Sequence, residues 1–178
     1  MKTDNNQVSR WILPKPINEE EIEHCTLNYT LQKVLIRRGI DLNNELEDYL
    51  TPTQLPNPED HFNDLKKASN RIIEACNRKD QIAICGDYDA DGITSTVLLI
   101  ELLSLLGAKA EPFIPSRQDE GYGLNINMIN RIHDKQIKLI ITVDNGISSI
   151  ESIKKSSDLG IDLIITDHHK IPDIKLNV

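Results

Sequence analysis

The sequence predicts an α/β protein built on a doubly wound, mostly parallel sheet and preceded by a small helical N-terminal segment. Three observations predict it. From Gln81 onward, short apolar, β-branched runs alternate with stretches of helical periodicity, giving four strands and three intervening helices. One of those stretches, Ile93 to Leu106, is almost wholly apolar and stops at Gly107, as a mostly buried helix with a glycine beyond its C-terminus would. Finally, three of the four strands run directly into boxes of aspartate, asparagine and histidine. Polar boxes at the C-terminal ends of parallel strands mark the edge where open α/β sheets bind ligands.

Taken in order, residues 1 to about 26 are polar and marked by Pro14 and Pro16, with Trp11-Ile12-Leu13 as an apolar patch expected to pack back on the body. Leu27, Leu31, Val34 and Leu35 recur at helical spacing, and Arg37-Arg38-Gly39 reads as a helix C-terminus. Asn43 or Asn44 can cap a second short helix carrying Leu46, Tyr49 and Leu50. Three prolines between Thr51 and Pro58 make an extended connector, so residues 1–58 form a helical appendage with its linker and residues 59–178 the main domain. Phe62, Leu65, Ile72, Ile73 and Cys76 predict a helix from about Asp60 to Asn77 with one stripe on the sheet. The alternation then runs strand Gln81 to Cys85, helix 93–106, strand Glu111 to Ile114, loop Pro115 to Gly123 and helix from about Asn125 to Lys135. It closes with strand Leu139 to Val143, helix from about Ser148 to Asp158 and strand Asp162 to Thr166.

A chain of 178 residues can bury one substantial core. Lys and Arg number 20 against 28 Asp and Glu, a formal net charge of −8. Such a surface does not attract nucleic acid in bulk, so phosphate chemistry here needs cations brought in. Cys25, Cys76 and Cys85 are odd in number and widely spaced, which favours core thiols in a reducing, cytoplasmic compartment over disulfides or a zinc site. No signal peptide opens the chain, and no apolar run approaches the ~20 residues that cross a membrane.

The boxes carry the chemistry. The first strand leads into Asp87, Asp89 and Asp91, the third ends in Asp144-Asn145-Gly146, and the fourth in Asp167-His168-His169. Parallel strands bring these boxes together at one edge, and so many carboxylates in one cleft resist ionising until divalent cations neutralise them. An oxygen-rich set with one or two imidazoles suits Mn²⁺ or Mg²⁺ better than structural zinc. Two such ions about 3.5–4 Å apart can activate water and steady a leaving oxygen, so metal-assisted phosphoester hydrolysis is the reaction class indicated. The first box also matches the opening half of an EF-hand loop, but its twelfth position falls on Leu98 where a bidentate glutamate belongs. Single aspartates after strands commonly form turns or caps, roles open to Asp87 and Thr94. Ser95 and Thr96 share that default, although the free amides of a helix start also favour anions. Asn145-Gly146 can serve a tight turn as well as a site, and His24, His61 and His133 fall on surface or helical positions. Arg117, in a loop that Gly121 and Gly123 let turn sharply, is either a phosphate fork or the partner of Asp119 or Glu120.

The residues Gly86-Asp87-Tyr88-Asp89-Ala90-Asp91-Gly92, Pro115-x-Arg117 with Glu120-Gly121-Tyr122-Gly123-Leu124, Asp144-Asn145-Gly146 and Asp167-His168-His169 together resemble the successive motifs of the DHH phosphoesterase superfamily. Their form is that of its bacterial single-strand exonucleases, and the resemblance runs from about Trp11 to the end, including Arg37 to Ile40. It implies that Asp89, Asp91, Asp144 and His168 are metal ligands, with Asp87 close to the metals, Asp144 bridging two ions and His169 beside the scissile phosphate. Many members place a histidine ligand where this chain has Cys85, which reads as packing and leaves Asp87 as a substitute. The activity implied is Mn²⁺- or Mg²⁺-dependent degradation of single-stranded DNA from the 5′ end, in repair and recombination. Relatives acting on short oligonucleotides, cyclic dinucleotides or pyrophosphate are the alternative, and a non-catalytic scaffold is the alternative of another class. Members of this form continue past the Asp-His-His box with a further aspartate ligand and a closing domain, so a chain ending at Val178 is expected to be weakly active or inactive alone.

Overall fold

The structure is a computed structural model that describes residues 12–18, 27–52 and 55–172. It divides into two compact units, Met1–Asn57 and Pro58–Val178. The first holds helices α1 (Tyr29–Arg37) and α2 (Leu46–Leu50). Asn28 caps α1 by accepting from the Leu31 amide, and Leu35 and Gln32 are its buried residues. The cap of α2 is Glu45 and neither Asn43 nor Asn44, because Asp41 recruits both asparagines: its carboxylate accepts from the Asn43 amide and the Asn44 side chain. Ile12 and Leu13 do not pack back as expected, being 91% and 81% exposed. Pro14 and Pro16 bias their neighbours toward extended backbone, which offers no continuous apolar face. Trp11, His24 and Cys25 lie outside the described residues.

The second unit opens with a short helix α3 (Pro58–His61) and then α4 (Leu65–Arg78). The single helix expected from Asp60 is therefore interrupted, and Phe62 falls in the break and is exposed. Along α4 the sheet-facing residues are Ile72, Ala75 and Cys76. Ile73 sits about 100° around the helix from Ile72 and is half exposed.

Four strands follow, β1 (Gln81–Cys85), β2 (Lys109–Phe113), β3 (Leu139–Val143) and β4 (Asp162–Thr166), all parallel and ordered β2-β1-β3-β4. Helix α5 (Ala90–Leu105) links β1 to β2, α6 (Ile126–Asp134) links β2 to β3, and α7 (Ile150–Asp158) links β3 to β4. The chain thus steps from β1 to one side, returns past it, and continues on the other. That reversal places a topological switch point between β1 and β3, the place where open α/β sheets leave a crevice.

Alternation along the strands builds two cores. Ala83, Cys85 and Ile140 face Leu124, Met128, Ile129 and Ile132 of the α6 side. Ile82, Ile84, Leu139, Ile141 and Val143 face Ala75 of α4 and Leu103 of α5. Central β3 is buried throughout, whereas Pro112, which cannot donate to a ladder, sits in edge strand β2. Cys76 and Cys85 are free thiols, and burial pushes the Cys85 thiol far above its ordinary value, as suits a packing residue.

Helix α5 departs most from expectation. It starts three residues early, because the Asp89 carboxylate caps it by accepting from the Gly92 amide at 2.9 Å. It is also far from mostly buried: Ile93, Val97, Leu98, Leu102, Leu105 and Leu106 are all exposed, Leu98 by 71%. One side, Gly92, Thr96, Leu99, Ile100 and Leu103, turns toward the interior, and the rest of the helix stays clear of the sheet.

Candidate metal centre

Each polar box leaves the same end of the sheet, and local chemistry fixes each in place. At the end of β1 the chain passes under α5. A Cβ on Gly86 would lie 2.1 Å from Thr96 Oγ1, and one on Gly92 would lie 2.6 Å from both the amide nitrogen and the carbonyl oxygen of Asp87. Those close approaches leave Asp87 only 1% exposed, with neither carboxylate oxygen meeting a hydrogen-bond donor. Asp89 spends one oxygen on the cap of α5, and Asp91 stands exposed in its first turn. Thr94 and Thr96 bond back to Ala90 and Gly92 carbonyls, which is a local role.

At the end of β3, Asp144 adopts a left-handed backbone, φ +62°, that aspartate tolerates better than most residues. Its amide donates to the Thr166 carbonyl of β4 at 3.0 Å, which ties the second box to the third. Asp144 Oδ1 lies 2.8 Å from His168 Nε2. Ligand atoms of Asp144, His168 and His169 all fall within 4.8 Å of one another.

Asp167, whose side chain is 4% exposed, accepts from the Ile147 amide, the His169 amide and, at 2.7 Å, His169 Nδ1. Burial opposes its ionisation, and these donors outweigh burial and hold the carboxyl below the usual range. Conversely, the Asp167 hydrogen bond raises the His169 imidazole, helped by the charges of Asp167, Asp144 and Asp89. The aspartate contribution is present above its ordinary 3.8 and fades as pH falls, and the histidine contribution is present below its ordinary 6.5 and fades as pH rises. The pair therefore supports the metal-free fold most between those values. We expect His169 to titrate above 6.5 by NMR in the metal-free chain and to return toward that value in Asp167→Asn. An unshifted His169 in the parent chain would contradict the assignment.

Above the cluster lies the loop between β2 and α6. Ser116 and Glu120 close its first half through the Ser116 amide, and Arg131 pairs with Glu120 at 3.4 Å. Arg117 pairs with neither Asp119 nor Glu120 among the described residues, and instead stands 5.4 Å over the Tyr88 ring. Tyr122 meets Tyr88 and His169 edge to face, and its hydroxyl donates to the Asp144 carbonyl at 3.1 Å while lying 3.3 Å from His169 Nε2. Burial, followed by the charges of Asp87, Asp144, Asp167 and Asp89, pushes the Tyr122 hydroxyl up to about 12. It stays a donor, and four carboxylates from three strand ends act on that one group. Asp91 enters no described hydrogen bond or ion pair with this cluster. Tyr122 and Asp167 are the site residues that motif reading passed over. Both stand inside the recognised boxes, but their roles depend on contacts across strands.

Helices cover both faces of a parallel sheet whose C-terminal edge gathers acidic and imidazole side chains, and the sequence places this chain in a family. The model of the DHH family, N-terminal domain, matches residues 81–177, and the chain belongs to the DHH family. Among curated proteins it is 34% identical to the single-stranded-DNA-specific exonuclease RecJ of Bacillus subtilis, over 93% of this chain and 22% of that protein. The RecJ of Thermus thermophilus is 39% identical over 59% of this chain and 16% of that protein. Among solved structures, an exonuclease RecJ bound to manganese matches with a TM-score of 0.58 and 37% identity, over 62% of this chain and 28% of that one. RecJ of T. thermophilus in complex with Mn²⁺ matches with a TM-score of 0.58 and 29% identity, over 80% of this chain and 19% of that one. The chain spans about a fifth to a quarter of the length of the first curated relatives, 22% and 26%.

Proposed function

We propose that this chain is the metal-binding, N-terminal catalytic portion of a RecJ-like exonuclease that hydrolyses single-stranded DNA from its 5′ end, in cytoplasmic DNA repair and recombination. No helix among the described residues is long and apolar enough to cross a membrane. The observation that carries the proposal is the meeting of Asp144, His168 and His169 at the strand ends, together with a buried Asp87 carboxylate that has no hydrogen-bond partner and acts, like Asp144, on Tyr122. A buried carboxylate left unpaired is costly, and a cation removes the cost. The donor set of oxygens with imidazole and no thiolate fits Mn²⁺ or Mg²⁺.

In this reading Asp87, Asp89, Asp91, Asp144 and His168 hold the cations, which when bound activate water and screen phosphate charge. Asp89 keeps one oxygen for that task while the other caps α5. His169, whose Nδ1 is engaged by Asp167 and whose Nε2 lies 3.3 Å from the Tyr122 hydroxyl, is 45% exposed, and in this reading its Nε2 turns to a phosphate oxygen when DNA binds. Arg117 offers a planar fork to the phosphate backbone from its perch over Tyr88.

The test uses the 178-residue chain with Mn²⁺ alone and then with 5′-labelled single-stranded DNA. Calorimetry is expected to show saturable Mn²⁺ uptake that EDTA reverses. Any release of 5′ label is expected to require Mn²⁺ and to spare duplex DNA. A chain that takes up no Mn²⁺ would sink the proposal, and with it the choice of Asp87 as a ligand.

A further inference from the structure

We infer that Asn145 is a positioning residue whose carboxamide locks the strand end carrying Asp144 to the loop carrying Arg117 and Tyr122. The inference rests on the proposed function for what that loop and strand end do. It rests on geometry for how they are joined.

Asn145 is 1% exposed, and its side chain reaches three separate segments. Nδ2 donates to the Cys85 carbonyl at the end of β1 and to the Val143 carbonyl at the end of β3, both at 2.9 Å. Oδ1 accepts from the Leu124 amide at 3.1 Å, where the loop enters α6. The orientation of the amide is unambiguous, because a flip would set Oδ1 against two carbonyl oxygens. The Asn145 side chain thereby bridges the β1–β3 gap at the level of the site.

The loop side of this joint is built to match. Leu124 is buried, and its carbonyl is gripped separately by the Ser152 hydroxyl at 3.1 Å, so both its backbone polar groups are held. Gly123, φ +69°, lies flat against Asn145, and a Cβ there would come within 3.4 Å of the Asn145 Cβ. Next in the chain stands Tyr122, whose hydroxyl reaches the Asp144 carbonyl. Asp144 and Tyr122 are thus fixed to each other twice, by their own hydrogen bond and through Asn145 and Leu124. This explains the middle residue of the Asp144-Asn145-Gly146 box: aspartate lacks the two Nδ2 donors, and leucine lacks every polar atom used.

Hydrogen exchange by NMR on the full chain tests the joint directly. In the parent chain the Asn145 carboxamide protons are expected to exchange slowly, and rapid exchange would overturn the inference without any variant. In Asn145→Ala the Leu124 amide is expected to lose at least tenfold of its protection relative to Ile140 and Ile141, whose strand stays paired. Unchanged relative protection of Leu124 would overturn it too. Mn²⁺ affinity, read by calorimetry beside the core variant Ile132→Val as a control, is expected to fall roughly tenfold in Asn145→Ala and to hold in the control. If the parent chain takes up no Mn²⁺, the functional reading fails, and the Leu124 and Asn145 exchange rates still decide the joint. If uptake depends on Asp144 but not on Asn145, the functional reading stands and the positioning role falls.

Discussion

Asp144→Asn is expected to weaken Mn²⁺ binding by more than about a hundredfold, measured by calorimetry on the 178-residue chain. Asparagine is the informative replacement because residue 144 sits at φ +62°, a conformation that Asn shares with Asp and that alanine adopts at a cost. The substitution keeps the left-handed turn, the amide donated to Thr166 and the carbonyl that accepts from Tyr122. It removes the charge that faces His168 at 2.8 Å. That pair adds little to the metal-free fold, since the His168 side chain is 75% exposed and such pairs are screened. Thermal unfolding without metal should therefore change little, and the loss of Mn²⁺ should be local. Retention of Mn²⁺ affinity in this variant would remove Asp144 from the metal set.

Gly92→Ala is expected to cost about 3 kcal/mol or more, read as a lower urea midpoint or as failure to fold. Two effects oppose each other at this site. Gly92 lies within α5, where alanine is favoured over glycine by roughly 1 kcal/mol. Against that, the new Cβ would stand 2.6 Å from two backbone atoms of Asp87, which cannot swing aside as a side chain can. Relief requires the N-terminus of α5 to lift off the end of β1, which uncovers Asp87 and shifts the Asp89 cap. Overpacking against backbone wins over propensity. A Gly92→Ala chain as stable as its parent would show that α5 does not press on the Asp87 turn. Gly107 gives the contrast, since a Cβ there meets nothing within 4 Å and only its φ of +79° resists.

Much of the main domain was legible because its strands are short apolar runs bounded by punctuation. Gln81–Cys85, Leu139–Val143 and Asp162–Thr166 fall where their composition predicts, and β2 begins two residues earlier than Glu111. The order of the strands was not legible. It depends on which side of β1 each crossover returns to, a property of helix packing rather than of local composition. The exposure of α5 was hidden for a related reason, because a run apolar on every face carries no sign of which face the sheet takes. At the site, the boxes announced themselves by residue type, and the structure brings Asp144, His168 and His169 together. Asn145 and Tyr122 act across strands through side-chain hydrogen bonds to backbone groups distant in sequence, and spacing along a chain holds no trace of those.

The parallel register between β1 and β3, with Cys85 opposite Thr142, has an evolutionary consequence. It works as a ruler that sets how far each box projects beyond the sheet. Changing a residue alters one contact, whereas adding or deleting one within either strand would turn every following side chain to the opposite face and carry the Asp87 turn or Asp144 out of step with its partners. Length variation should thus be confined to the far end of the sheet, at turns such as Lys79-Asp80, Gly107 and Gly160, where the chain reverses away from the site. A library of single-residue insertions would show this as two populations, tolerant at those turns and intolerant from each strand through its box.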